Sequence, residues 1–161
     1  MTALRIRPLA LCIFHHDGKI LVNEALDPVT GKPFMRPIGG GIEFGETSAQ
    51  AVLREVDEEL GLSITDVRLL GTLENIFTYA GTPGHEIVQV YDAKFVDASV
   101  YELPHLDAQE SDGAAFVAKW LALDSITGET PLVPAGLYEL LKKIVKKGDR
   151  SISTNRSVTL S

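Results

Sequence analysis

The chain has 161 residues, 45% of them apolar and 23% charged, which suits one globular domain with its own core and leaves no room for a second. A formal net charge of -7 argues against a general nucleic-acid or membrane surface and is compatible with cation binding. Cys12 is the single cysteine, so no internal disulfide forms, and its neighbours in "LALCIF" read as a buried strand rather than the setting of a nucleophile. That apolar run is too short to cross a bilayer and no cleavage-site pattern follows it, so a reducing cytoplasm is the expected compartment.

In chain order, residues 5–25 read as two strands joined by a turn at Asp17-Gly18, a strong hairpin signal between apolar flanks. Residues 27–38 hold Pro28, Pro33, Pro37 and Gly31 and read as a loop delivering the chain to three consecutive glycines, Gly39, Gly40 and Gly41. A helix is expected next. Thr47 with Gln50 has the form of a capping box, Gly61 suits a left-handed C-terminal cap, and Val52, Val56 and Leu60 repeat on one stripe. Residues 67–79 and 85–96 look like two long strands, with "YAGTPGH" as the loop between them. Residues 114–123 form a shorter strand, and 135–147 a closing amphipathic helix whose lysines complement the helix dipole. The expected organisation is one domain over 1–148 and a polar, flexible tail over 149–161. This order predicts a layered α/β fold with helices on both faces of a sheet, and a mixed sheet because the first hairpin demands antiparallel pairing.

The predicted helix carries Glu55, Glu58 and Glu59 at i, i+3 and i+4, a spacing that brings three like charges within reach of one point. Three such glutamates alone read more readily as a solvated acidic face. Their surroundings point elsewhere, because Arg54 lies inside the cluster, Glu46 precedes the helix, and the glycines put bare backbone beside its N-terminus. Hard divalent cations take carboxylate oxygens together with substrate phosphates, and exposed N–H groups at a helix start suit phosphate oxygens. Carboxylates for metal, metal for phosphate and glycines to admit it fit phosphoryl chemistry.

Gly40, Glu46, Arg54, Glu55, Val56, Glu58, Glu59, Gly61 and Leu62 occupy every fixed position of G-x5-E-x7-R-E-U-x-E-E-x-G-U, where U is a bulky aliphatic. That pattern is the Nudix box, and the surrounding element order resembles the Nudix α/β/α sandwich with a mixed sheet. The resemblance implies Mg²⁺- or Mn²⁺-dependent hydrolysis of the pyrophosphate bond in a nucleoside diphosphate linked to another group X. It makes Glu55, Glu58 and Glu59 metal ligands, with the Gly39 carbonyl as a backbone ligand. Arg54 then orients the carboxylates by pairing with Glu46, and the base that deprotonates water is a box glutamate or a loop glutamate before the last strand. Glu110 has that place and is the candidate for a catalytic or metal role, with Glu102, Asp107 and Asp112 as competitors.

Selectivity for X lies outside the box. No proline falls between Leu62 and Thr82, so the mark associated with ADP-ribose hydrolases is missing, whereas Tyr79 lies where dinucleoside polyphosphate hydrolases often place a tyrosine. Arg36 enters the glycine run and is a candidate to meet a phosphate or base, as is the Gly40 backbone; His85 and Glu86 are weaker candidates, and Trp120 reads as core. The expected partner is a small-molecule nucleoside diphosphate derivative, with no stable nucleic acid and no membrane, and many relatives being homodimers. A Nudix-fold binding module with little turnover is the alternative, against which the intact box speaks. An isoprenoid diphosphate isomerase of the same fold would want a cysteine near the glycines, and Cys12 is in the first strand instead.

Overall fold

The computed structural model describes residues 3–145, so the tail expected over 149–161 lies outside the described residues. In chain order the strands are β1 (Arg7–Ile13), β2 (His15–His16), β3 (Lys19–Leu26), β4 (Pro33–Arg36), β5 (Ile38–Gly41), β6 (Ile64–Tyr79), β7 (Thr82–Phe95), β8 (His105–Gln109) and β9 (Ala115–Ala122). Helix α1 (Ser48–Leu60) lies between β5 and β6, and α2 (Leu137–Lys142) follows β9. No helix among the described residues is long and apolar enough to cross a membrane.

The mixed α/β class holds, but with two sheets in place of one. The first has the order β5-β1-β7-β6, with β1 parallel to β7 and the other pairs antiparallel. The second has the order β2-β3-β9-β8 with β4 added to β3, all antiparallel. The Asp17-Gly18 turn forms, both residues having positive φ, and pairs His15 with Ile20 and His16 with Lys19. After one further bond, from the Leu21 N–H to the Phe14 carbonyl at 3.0 Å, the hairpin ends, because at buried Phe14 the chain passes from the centre of the first sheet into the second. Continuous burial from Ala10 to His15 is what a strand covered on both faces requires, so the mixed character comes from the β1–β7 pair and not from the hairpin.

Side-chain alternation on β1 and β7 divides the core. Ala10, Cys12, Tyr91, Ala93 and Phe95 face Ala51, Val52 and Val56 of α1. Leu11, Ile13, Val88 and Val90 face the other way, toward Leu137 and Leu141 of α2. Leu60 packs on the α1 side, completing the expected stripe, and Trp120 packs there beside Tyr101 with ring centroids 5.6 Å apart.

Four local features differ from expectation. The loop at 79–85 shrinks to Ala80-Gly81, with Thr82 to His85 continuing β7. Proline is tolerated at Pro83 because β1 covers β7 only from Glu86 onward, and the Phe77 ring lies over Gly84 in the space that a Cβ would take. The loop at 27–38 contains β4, which Pro33 can begin as the first residue of an edge strand. Residues 105–109 form β8, whose inward positions, Leu106 and Ala108, are too few to stand out in the sequence. The closing helix is also shorter than the span predicted for it.

Helix α1 begins and ends as expected. Thr47 Oγ1 accepts from the Gln50 N–H at 3.1 Å and Gln50 Oε1 accepts from the Thr47 N–H at 2.8 Å, while Gly61 takes φ 67°. Thr47→Ala is expected to lower stability by about 1 kcal/mol in urea unfolding. Adding Gln50→Ala should cost less than the sum of the two single changes, because both bonds belong to one box.

Candidate active site

The site is built where β5, the turn after it and α1 meet. Gly39 has φ 151°, and a Cβ on it would collide with the backbone of Ala10 and Leu11, so only glycine lets β5 lie this close to β1. A Cβ on Gly40 would stand 2.5 Å from Glu55 Oε1, so the missing side chain is the space that the Glu55 carboxylate fills.

Arg54 organises the carboxylates. Its Nε donates to Glu46 Oε2 at 2.7 Å, and Nη2 donates to Glu46 Oε1 at 2.8 Å and to the Gly41 carbonyl at 3.0 Å. Nη1 donates to Glu55 Oε1 at 3.0 Å and Glu58 Oε2 at 3.3 Å, with Glu43 at 3.7 Å. The Arg54 hydrogen bonds, helped by the Glu43 N–H, hold the Glu46 carboxyl down at about 2. The same pairing holds the Arg54 proton more tightly than usual.

Glu55 and Glu59 are both buried. Burial raises the pKa of Glu55 against the opposing pull of Arg54. Glu59 is pushed up to about 8, first by burial and then by the charges of Glu55 and Glu110, with Arg36 and the Gly39 N–H pulling the other way. The N–H groups of Arg54 are committed to other partners, so Glu59 is left to the charge of a second cationic group. Arg36, at the end of β4, donates from Nη2 to Glu110 Oε1 at 3.1 Å.

An open cleft of about 550 Å³ lies above these groups. Glu55, Glu58 and Arg54 of α1 line it on one side, residues 41–43 on a second, and Gln109, Glu110 and Ser111 on a third. The structure thus brings Gly39, Gly40, Glu46, Arg54, Glu55, Glu58, Glu59, Arg36 and Glu110 into one neighbourhood. Tyr79 does not line this cleft; it is partly exposed at the β6–β7 tip, its ring edge-on to Phe34 with centroids 6.0 Å apart.

The competitors of Glu110 have other partners. Glu102 lies 4.0 Å from His16, Asp107 3.9 Å from His105, and Asp112 accepts from the Ala114 N–H at 2.9 Å. Glu86 pairs with Arg7 at 3.6 Å, and His85 sits within β7 opposite Ile76. The Cys12 thiol is buried and its pKa is raised well above the usual thiol value by that burial. Sequence reasoning passed over Glu43, Gln109 and Ser111; the first lies at an open position within the box, and the other two are marked only by standing beside Glu110.

Among the described residues no three His, Cys, Asp or Glu side chains already converge as a metal-holding group, since Arg54 Nη1 draws Glu55 and Glu58 to itself. The donors nevertheless fit a hard divalent cation, being carboxylate oxygens of Glu55, Glu58 and Glu110 that line one open cleft.

The family model described as the NUDIX domain matches residues 5–144. The NAD-capped RNA hydrolase NudC of Mycobacterium tuberculosis is 27% identical over 146 residues, covering 88% of this chain and 44% of that protein. The RNA pyrophosphohydrolase of Hydrogenovibrio crunogenus is 50% identical over 66 residues, 38% of this chain and 40% of its own length. The chain thus spans less than half the length of these curated relatives. Among solved structures, a MutT NUDIX hydrolase from Burkholderia pseudomallei is similar with a TM-score of 0.61 and 22% identity, covering 87% of this chain and 98% of its own. The E. coli ORF135 protein is similar with a TM-score of 0.56 and 22% identity, covering 91% and 96%. These likenesses show a shared fold.

The buried acid at Glu59 makes a pH prediction. Its folded pKa, about 8, lies above the ordinary carboxylate value of 4.5, so the folded chain holds a proton that the unfolded chain releases. Metal-free stability should therefore fall as pH rises from about 5 to about 8. Glu59→Gln should flatten that slope in melting curves taken across the same range.

Proposed function

The chain belongs to the Nudix family, and on that premise we propose that it hydrolyses the pyrophosphate bond of a nucleoside diphosphate linked to another group X, with a divalent cation. The observation that carries this reading is a single open cleft bounded by helix carboxylates on one side and the Glu110 turn on the other. Glu55, Glu58 and Glu59, with the Gly39 carbonyl, are the proposed metal ligands, and Glu110 a further ligand or the base. Mg²⁺ or Mn²⁺ held there would neutralise the diphosphate and lower the pKa of the attacking water.

Each remaining step falls to the chain's own groups. Arg54 keeps the α1 carboxylates in register through Glu46 and the Gly41 carbonyl. Gly39 and Gly40 make room for β1 and for the Glu55 carboxylate, and the bare backbone of Gly41, which lines the cleft with open space around it, lets the diphosphate approach β5. Arg36 meets a phosphate oxygen. A carboxylate of the cleft, Glu110 or a box glutamate, takes the proton of the attacking water as its oxygen bonds to phosphorus and the anhydride P–O bond breaks. A guanidinium and a carboxylate facing one phosphorus are suited to positioning and charge neutralisation, which is most of what phosphoryl transfer needs.

The proposed X is a small molecule or the 5′ end of an RNA. The relatives are named for NAD-capped RNA and for RNA pyrophosphate hydrolysis, which supports including capped RNA beside nucleotide sugars, dinucleoside polyphosphates and NADH. Tyr79, with Phe34 against it, is proposed to contact an extended X group. The cytoplasm is the proposed compartment and a homodimer the proposed assembly.

Purified protein incubated with Mg²⁺ or Mn²⁺ and a panel of these compounds should give products cut at the diphosphate, read by chromatography. No cleavage of any member would overturn the reading. Glu58→Gln should keep its fold and lose about a hundredfold in kcat, and a near-normal rate would remove Glu58 from the ligand set. Mg²⁺ should raise the melting temperature of the wild type and raise it less in Glu58→Gln.

A further inference from the structure

Two guanidinium groups stand beside the carboxylates, and they differ in how many of their N–H donors are committed. Arg54 spends Nε, Nη1 and Nη2 on Glu46, Glu55, Glu58 and the Gly41 carbonyl, leaving none for a ligand. Arg36 has one hydrogen bond among the described residues, to Glu110 across 74 positions of chain. Both partners are half-exposed, with side-chain accessibilities of 47% and 34%, and an exposed pair of this kind adds little to stability. The fold therefore has small need of this contact. It does, however, join the guanidinium that has donors to spare with a carboxylate that lines the cleft.

A carboxylate offers a guanidinium the same planar pair of anionic oxygens that one edge of a phosphate offers. We infer that Glu110 is an internal stand-in for substrate phosphate: it occupies Arg36 in the resting protein and yields that position when a diphosphate enters. The exchange frees the Glu110 carboxylate, which already lines the cleft with Glu55 and Glu58, from its partner at the moment the phosphate arrives. Before that, Arg36 neutralises Glu110 next to the buried Glu59, so the resting site carries less uncompensated negative charge. The ligand class is a diphosphate. This inference rests on the proposed function only in taking a diphosphate to be what the cleft receives.

The test is a double-mutant cycle read by binding. Inorganic pyrophosphate is titrated calorimetrically, in low-salt buffer with EDTA, into wild type, Arg36→Gln, Glu110→Gln and the double variant, with melting curves confirming that each is folded. Leaving out metal separates the exchange from any role of Glu110 as a metal ligand. Glu110→Gln is expected to bind pyrophosphate about fivefold tighter than wild type, Arg36→Gln about fivefold weaker, and Glu110→Gln to have no effect once Arg36 is gone.

Equal tightening by Glu110→Gln in both backgrounds would mean only that a negative charge was removed, and would overturn the exchange. So would no tightening, or no binding by any of the four proteins. Turnover on the substrate panel is read separately. Turnover without coupling sinks the exchange and leaves the hydrolase, whereas coupling without turnover keeps a pyrophosphate site and sinks the hydrolase reading.

Discussion

The charge balance at the start of α1 depends on the Arg54 fork. Glu55, Glu58 and Glu59 occupy neighbouring positions of α1, where like charges oppose one another, and Glu46 and Glu43 add two more from the preceding turn. One guanidinium answers most of this charge with a bidentate pair to Glu46 and single bonds to Glu55 and Glu58. Its remaining bond, to the Gly41 carbonyl, ties α1 to β5, so the charge balance and the relative position of helix and strand are set by one side chain. A lysine, with a point charge in place of a planar fork, could not hold these partners together.

The carboxylates are not equivalent, and the helix period explains the difference. Glu55 and Glu59 are one turn apart on the flank of the Val52–Val56 stripe, so packing that stripe against β1 and β7 carries both of them inward. Glu58 lies farther round and stays half-exposed. Glu55 retains Arg54, whereas Glu59 is drawn down by the charge of Arg36 and the Gly39 N–H, and its acidity is the more weakened of the two.

The α1 half of the site was legible in the sequence because its geometry is local. A cap at Thr47, a stop at Gly61 and the residues between them determine which side chains share a face, and no distant contact is needed to read it. The pairing of Arg36 with Glu110 could not be read in the same way, since it depends on how β4 and β8 are carried by β3 and β9. The first hairpin misled for a related reason. Asp17-Gly18 reports its own turn faithfully, but which partner a strand takes beyond the turn is decided by burial on both faces of β1. Strand β8 escaped notice because a short strand with one leucine and one alanine facing inward carries almost no periodic signal.

The parallel alignment of β1 with β7 has a consequence for how the protein comes into being. β5 can lie beside β1 early, as the two are near in sequence, but the other edge of β1 waits for residues 86–92, which follow the whole box and the long strand β6. Glu110 arrives later still. Because non-local pairing must close long loops before any contact rewards it, such topologies fold slowly. A chain still emerging from the ribosome would thus possess the entire box, helix caps included, and have no cleft to place it in.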